Sequence, residues 1–536
     1  MSERANPDSV LNQPPAFVDI DLFGTDVALQ EAVAANGGAS DSEALSAFGR
    51  YWGRAEMFDL ARAADVNVPR LDGEIVRFDP AYHRFMADSM AAGLHCSTWI
   101  EDGTSEGPPS EALRAARFYM VAQVENGHMC PITMTRASVA ALAAAPDLRA
   151  QLMPKIVSRS YDPSFQPWPT KNAVTLGMGM TEKQGGTDVH TNSTQARRDG
   201  EAYRIDGQKW FMSAPMSDAF LVLAQANGGL TCFFLPRLQP DGSINGLHFV
   251  RLKDKLGNRS NASSEVEFHD AYASRVGDEG KGIRTILRMV QLTRLDCAVS
   301  SAGIMRAALV RAVHHARYRT VFQKKLVDQP MMRAVLADLA LDCEAAVAMV
   351  MRLSRSFDLA QEDPVEAARA RLLTPVIKYW VCKLAPAFAY EAMECLGGNG
   401  YVEDYVMARL YREAPVNAIW EGSGNVMALD VLRALKDEDI HPVIESWKRD
   451  AGRLPHVAKS IDELIGMLSM VDVEARARYL VDRLALIAGA TALQTSSPEI
   501  AEIFSQTRLN NDSVRTYGAC DLASMSSRLL ERVLPI

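Results

Sequence analysis

The chain has 536 residues, is 48% hydrophobic and 23% charged, and carries a net charge of −9. That apolar content supports several packed layers and more than one domain. The acidic balance excludes a general nucleic-acid-coating surface while leaving room for a local basic patch. The eight cysteines include no C-x-x-C pair and read as reduced core thiols. No apolar run is long enough to cross a bilayer, and the Met1–Pro7 start lacks an apolar signal core. A cytoplasmic protein without membrane or metal sites is the expectation.

Residues 1–20, with Pro7, Pro14 and Pro15, read as an irregular arm that is disordered or docks on another subunit. Residues 21–177 read as a helical domain, with alanine-rich helical patterns over 43–64, 82–92 and 111–124 and a Gly/Pro loop at 102–109. Pro131, within His128–Thr135, reads as a helix break, or alternatively as part of a pocket wall.

The pattern changes to strands over 178–280. Asp199-Gly200 and Asp206-Gly207 are hairpin signals, and strand-like runs follow near 219–226, 230–235, 248–252 and 265–268. An antiparallel sandwich or barrel is expected. Helical spacing returns over 281–438, as four long helices of a bundle: 293–321, 331–353, 364–381 and 385–396. A further helical domain covers 439–536. The fold class is therefore multidomain α+β, with an α domain, an antiparallel β domain, a helical bundle and an extra C-terminal helical domain.

Three short stretches carry chemistry. Ile419-Trp420-Glu421-Gly422-Ser423-Gly424-Asn425 puts one carboxylate on a loop before a helix marked by Val426, Leu429 and Leu432. Apolar neighbours raise such a carboxyl's pKa and the helix end lowers it, and the balance suits proton abstraction. Met178–Asp188 offers hydroxyls and glycine-permitted backbone approach to a polar ring. Gly397-Gly398-Asn399-Gly400-Tyr401 follows a helix and could hold a diphosphate through backbone N–H groups. Each taken alone is better read as an ordinary turn or helix cap. Neither glycine-rich stretch follows a strand with G-x-G-x-x-G spacing, which argues against a nicotinamide Rossmann domain.

The order of these motifs, with Lys209-Trp210-Phe211-Met212-Ser213 and Arg319-x-x-Phe322 between them, resembles the acyl-CoA dehydrogenase family of flavoproteins over residues 75–435. Asn12-Gln13-Pro14, Cys130–Thr135, Met180–Gly186, Leu252–Ser263 and Pro415–Asn425 further resemble the AidB-like, alkylation-response branch of that family.

The resemblance implies FAD as cofactor. Its ring would be cradled by Met180, Thr181, Gly186, Thr187, Phe211 and Ser213. Its diphosphate and adenine would be held by Arg319, Phe322, Gln329, Gly397, Gly398 and Gly400, partly across a subunit boundary. Ser423 and Asn425 complete the cofactor set. It implies a homo-oligomer, usually a tetramer, an acyl-CoA or related substrate, and electron-transferring flavoprotein as acceptor. Glu421 matches the family's base. Thr293 stands where some members carry the base instead, and it cannot serve; Arg294 follows it, and Trp420 would narrow the acyl pocket. Glu394 and Gln323 depart from the family's usual glutamine and glycine. The alkylation-response resemblance also implies double-stranded DNA as a partner. Residues 441–536 hold eleven basic and twelve acidic side chains, so only a local face, with Arg476, Arg478 and Arg483, could serve.

Overall fold

The computed structural model describes residues 12–100, 110–436, 440–450, 454–468, 473–510, 516–517, 522 and 524–535. The first eleven residues of the arm, the Gly/Pro loop 102–109 and Cys520 lie outside the described residues. The chain divides into two compact units. One joins residues 1–58, 111–124 and 297–536, and the other joins 59–110 and 125–296.

The second unit is built on a seven-stranded sheet. A ribbon of β1 (Arg70–Asp72) and β2 (Ile75–Arg77) precedes it. The sheet comprises β3 (Leu176–Gly179), β4 (Gln195–Asp199), β5 (Ala202–Ser213), β6 (Ala219–Ala226), β7 (Gly229–Pro236), β8 (Leu247–Leu252) and β9 (Ser263–Val276). Pairing runs β5–β9–β7–β6–β3–β5, so the sheet closes on itself as a barrel. Only the β3–β6 contact and the single β4–β6 bridge are parallel. Closure leaves few open edges. Tyr203, Ile205, Phe220, Phe233, Phe249 and Phe268 fill the interior.

One hairpin signal is correct and the other is not. Asp199 pairs Ala202 across Gly200-Glu201, with Gly200 at φ +62°. Asp206-Gly207 makes no turn, because β5 runs straight through it. The register shifts between Ile205 and Gly207, and Gly207, at φ +147°, absorbs a bulge where a Cβ would lie 2.7 Å from Thr194. Pro131 likewise does not interrupt a helix. It sits in the first turn of the Met129–Leu142 helix, where its missing N–H has no intrahelical partner to lose.

In the first unit the expected four bundle helices become three. Gly282–Tyr318 is one helix, whose first part belongs to the second unit, followed by Pro330–Leu359 and Pro364–Glu394. The last runs through both Pro375 and Pro386. Apolar packing of Leu372, Val376, Val381 and Phe388, all buried, outweighs the lost backbone hydrogen bonds. The C-terminal helices Ala477–Ser496, Pro498–Arg508 and Ser526–Val533 pack in the same unit. Arg508 binds Asp338 and, at 2.9 Å, Asp342, while Arg532 binds Glu344 at 2.6 Å and Glu31. Among the described residues no helix is long and apolar enough to cross a membrane, no metal-binding group of side chains forms, and the seven cysteines are free and buried.

Candidate active site

Glu421 lies on the loop between a 3-10 turn, Ala414–Ala418, and the Gly424–Ala434 helix. Its backbone is left-handed, at φ +58°, and Gly422 follows at φ +107°. A β-carbon disfavours that conformation, so surrounding contacts must hold it. Lys378 supplies two of them. It projects from the middle of the Pro364–Glu394 helix, is 1% exposed, and donates to the carbonyls of Trp420, at 2.9 Å, and of Gly422. One buried ammonium thus grips the chain on both sides of the carboxylate-bearing residue. Asn417, also buried, accepts from the Trp420 indole N–H at 2.9 Å and donates to Ser300 Oγ at 3.2 Å. Trp420 is therefore anchored by its polar edge. Asn425, in the first turn of the next helix, accepts from Arg478 Nε at 2.8 Å, and Ser423 is the N-cap residue.

Elsewhere in this unit, Arg319 follows the C-terminus of the Gly282–Tyr318 helix. Beyond it, Thr320-Val321 and Lys324-Lys325 form a minimal hairpin. Its two turn residues, Phe322 and Gln323, have φ +51° and +64°, the signature of a type I′ turn. Phe322 is 90% exposed at the tip. Gln329 donates to the Val321 carbonyl at 3.0 Å and caps the next helix by position. Gly397, at φ +60°, opens the Gly398–Tyr401 turn. A Cβ at Gly397 or Gly398 would meet nothing within 4 Å, whereas one at Gly400 would strike the Met393 carbonyl at 2.2 Å. The first two glycines keep a surface open, and the third serves packing.

In the second unit, β3 and β5 bring the ring-binding candidates together. Met178 pairs Ser213, and the Trp210 N–H donates to the Thr181 carbonyl at 2.8 Å. Asn192 donates to the Met180 carbonyl at 3.0 Å. Gly186 lies against the Thr181 side chain, where a Cβ would fall 2.4 Å from Oγ1, and Thr187 is exposed. Phe211 is 48% exposed, with Met212 buried beneath the strand. Lys253 Nζ lies 3.4 Å from the Trp210 ring centre and 4.6 Å from that of Phe211. Glu182, next to Thr181, is fully buried against Lys209 at 2.7 Å. Burial opposes its ionisation, but the Lys209 ammonium and hydrogen bonds from Thr194 and Ser193 outweigh it and hold the carboxyl down at about 2. An exposed aromatic ring on the strand that carries Ser213, paired through Trp210 with the Thr181 segment, fits the face and polar edge of a heteroaromatic ring.

Thr293 is 1% exposed and spends its hydroxyl on the Val290 carbonyl of its own helix at 2.9 Å; Arg294, next to it, is also buried. A cavity of about 400 Å³ in the second unit is lined by Tyr82, His83, Met86, Pro131, Tyr161 and Met216 among others. Pro131 thus does line a pocket. The three candidate DNA-binding arginines do not make one face. Arg483 is buried, donating to Ser460 and to the Leu509 carbonyl at 3.0 and 2.9 Å, and only Arg476 and Arg478 are exposed.

Three family models match in chain order. They are the adaptive response protein AidB N-terminal domain over residues 12–163, the acyl-CoA dehydrogenase middle domain over 177–271 and the acyl-CoA dehydrogenase C-terminal domain over 280–436. AidB of Escherichia coli (strain K12) is 44% identical over 525 residues, 94% of each chain. The chain belongs to the acyl-CoA dehydrogenase family, on its AidB branch. Membership makes it an oxidoreductase of the acyl-CoA dehydrogenase type, which acts on CH–CH groups. Among solved structures, Caenorhabditis elegans ACDH-11 in complex with C11-CoA superposes with a TM-score of 0.85 at 25% identity, covering 98% of this chain and 97% of that one. An acyl-CoA dehydrogenase from Bacillus anthracis complexed with FAD shares the fold, with a TM-score of 0.69 at 16% identity over 97% and 95% of the two chains.

Lys378, Asn417 and Lys253 are the site residues that sequence reading missed. Lys378 left a signal, as the one charge in the otherwise apolar run Leu372–Cys382. Asn417 and Lys253 lay inside stretches singled out for resemblance, with nothing local to mark their partners.

Proposed function

We propose that the chain is an FAD-dependent acyl-CoA dehydrogenase in which Glu421 removes the proton α to a thioester carbonyl. The observation that carries this reading is the Glu421 loop. A carboxylate is presented in a strained backbone conformation, between two carbonyls gripped by one buried lysine. Strain maintained by a buried charge is costly unless the presented group is used.

FAD, when bound, would supply the two-electron acceptor for the hydride leaving the β carbon. Met180, Thr181, Gly186, Thr187, Phe211 and Ser213 hold its ring. Arg319, Phe322, Gln329, Gly397, Gly398 and Gly400 hold its diphosphate and adenine, with Ser423 and Asn425 contributing beside the base. Thr293 takes no proton, because a neutral hydroxyl is too weak a base. The α C–H is a weak acid, so the site must exclude water and stabilise a developing enolate. Trp420, fixed by Asn417, walls the base on one side and favours a short or unusual acyl group. The working form is a homotetramer. Phe322, Met331 and Tyr401, at 90%, 85% and 79% exposure, are apolar surfaces suited to burial between subunits. Electron-transferring flavoprotein reoxidises the enzyme.

The test is anaerobic addition of an acyl-CoA panel to the flavin-loaded protein, followed by the flavin absorbance. Wild type bleaches with at least one thioester, and Glu421→Gln does not. If no thioester bleaches the flavin, the dehydrogenase reading fails.

The match to the adaptive-response N-terminal domain favours a second reading, an alkylation-response flavoprotein that associates with duplex DNA and turns over little. Titration of duplex DNA at two salt concentrations tests it, and absence of salt-dependent binding near physiological salt sinks it.

A further inference from the structure

The N-terminal arm is a singled-out motif that the dehydrogenase reading leaves without a task. The structure places it on its own chain. Asn12, itself at φ +71°, pairs its side-chain amide with both backbone groups of Thr320. Oδ1 accepts from the Thr320 N–H at 2.6 Å, and Nδ2 donates to the Thr320 carbonyl at 2.8 Å. The Asn12 carbonyl accepts from Arg319 Nη1 at 3.0 Å. Gln13 Oε1 accepts from Asn399 Nδ2 at 3.1 Å. Behind them the Pro15 carbonyl bonds His314 Nε2 at 2.9 Å, and the Phe17 ring lies 4.8 Å from that of His314.

Two adjacent arm residues therefore bridge two segments far apart in sequence, the Arg319–Lys325 hairpin and the Gly397–Tyr401 turn. An asparagine amide that both donates to and accepts from one residue imitates a neighbouring strand, and so fixes the hairpin's orientation. It fixes Arg319 as well. A guanidinium has five N–H donors, and the Asn12 carbonyl takes one. The other donors of Arg319 have no partner among the described residues. The Gly397-Gly398 backbone beside Asn399 likewise faces open space. The Gly397 N–H is spent on the Glu394 carbonyl at 2.9 Å, so the unspent donors are those of Arg319, and the turn adds an open backbone surface beside which a diphosphate can lie, the two held at a set separation by the arm. The ligand chemistry that fits is a diphosphate joined to a nucleoside.

We propose that Asn12 and Gln13 are positioning residues for the dinucleotide. They clip Arg319 and the Phe322 hairpin to the Gly397–Gly400 turn, so that the diphosphate-binding donors are arranged before FAD arrives. This rests on the assignment of those segments to FAD. Preorganisation of this kind appears in affinity, because the ordering cost is met in the unliganded protein.

The test uses full-length apoprotein, Asn12→Ala/Gln13→Ala, and a deletion of residues 2–13. FAD binding is followed by flavin fluorescence quenching, ADP binding by calorimetry and assembly by light scattering. Both variants lose tenfold or more in FAD affinity. ADP, which carries the diphosphate and adenosine without the flavin ring, loses affinity in parallel, and the oligomeric state stays as in wild type. FAD and ADP affinities within twofold of wild type overturn the proposal. So does a loss of FAD seen only when the oligomer dissociates, which would make the arm an assembly element. Wild-type apoprotein that takes up no FAD would overturn the cofactor assignment itself, and the proposal with it.

Discussion

Lys378→Met removes the ammonium beneath Glu421 while keeping a side chain of similar length and apolar shape. Two carbonyls, of Trp420 and Gly422, lose their donor. Each acceptor left unsatisfied in a buried place costs about 1–3 kcal/mol. Glu421 at φ +58° adds about 1–2 kcal/mol of backbone strain that those bonds helped to offset. A total of about 3–8 kcal/mol therefore presses on a short loop. Relaxing the loop costs less than carrying that strain, so the loop moves. A carboxylate displaced by about 1 Å loses on the order of 100-fold in rate. The expected result is a kcat about 100-fold below wild type, with FAD content and far-ultraviolet circular dichroism unchanged and the urea midpoint modestly lowered. The assay is steady-state turnover on whichever thioester bleaches the wild-type flavin. A folded, FAD-replete Lys378→Met enzyme with kcat within twofold of wild type would refute the argument that this lysine presents the base.

Glu421→Gly abolishes turnover, yet raises unfolding stability by about 1 kcal/mol, because glycine adopts positive φ without strain; paired urea curves and activity assays check both halves. Arg508→Ala leaves the Asp338 and Asp342 carboxylates without their cation in a buried place, and costs about 3–5 kcal/mol in urea unfolding. The Glu182 carboxyl is held at about 2, below its ordinary 4.5, so its contribution to stability is complete above pH 4.5 and is lost as pH falls through 2. Stability measured against pH drops across that window, and Glu182→Gln, weaker at neutral pH, drops less.

What the sequence made legible was whatever depends on near neighbours. The helix after Glu421, the Asp199-Gly200 turn and the barrel strands all announce themselves by local spacing or turn chemistry. Asp206-Gly207 carries the same dipeptide signal as Asp199-Gly200 and yields a bulge, because the pairing of β5 with β9 continues past it and only the register gives way. Pro375 and Pro386 fail to end their helix for a related reason: buried neighbours on either side hold it together. The candidate site was legible as a set of motifs, and its retention devices were not. Lys378 reaches a loop 42 residues downstream, and Asn12 reaches Thr320 across 308 residues. No local pattern encodes such partners.

These retention devices share a logic. The proposed base and the proposed diphosphate site both sit on backbone that would not hold its shape unaided. Glu421, Phe322 and Gln323 are non-glycine residues at positive φ, and Gly397 is at +60°. At the base loop and the hairpin a polar side chain from elsewhere in the sequence grips main-chain groups, whereas the glycine turn is held through the Asn399 side chain by Gln13. Lys378 grips the base loop, Asn12 grips Thr320, and Gln329 grips Val321. Gripping the main chain leaves the Phe322 ring, 90% exposed, at the hairpin tip. A charge or amide spent on backbone carbonyls contributes modestly to stability. Its larger consequence is that a strained segment has one conformation available when substrate or cofactor arrives, which is where a rate or an affinity is gained.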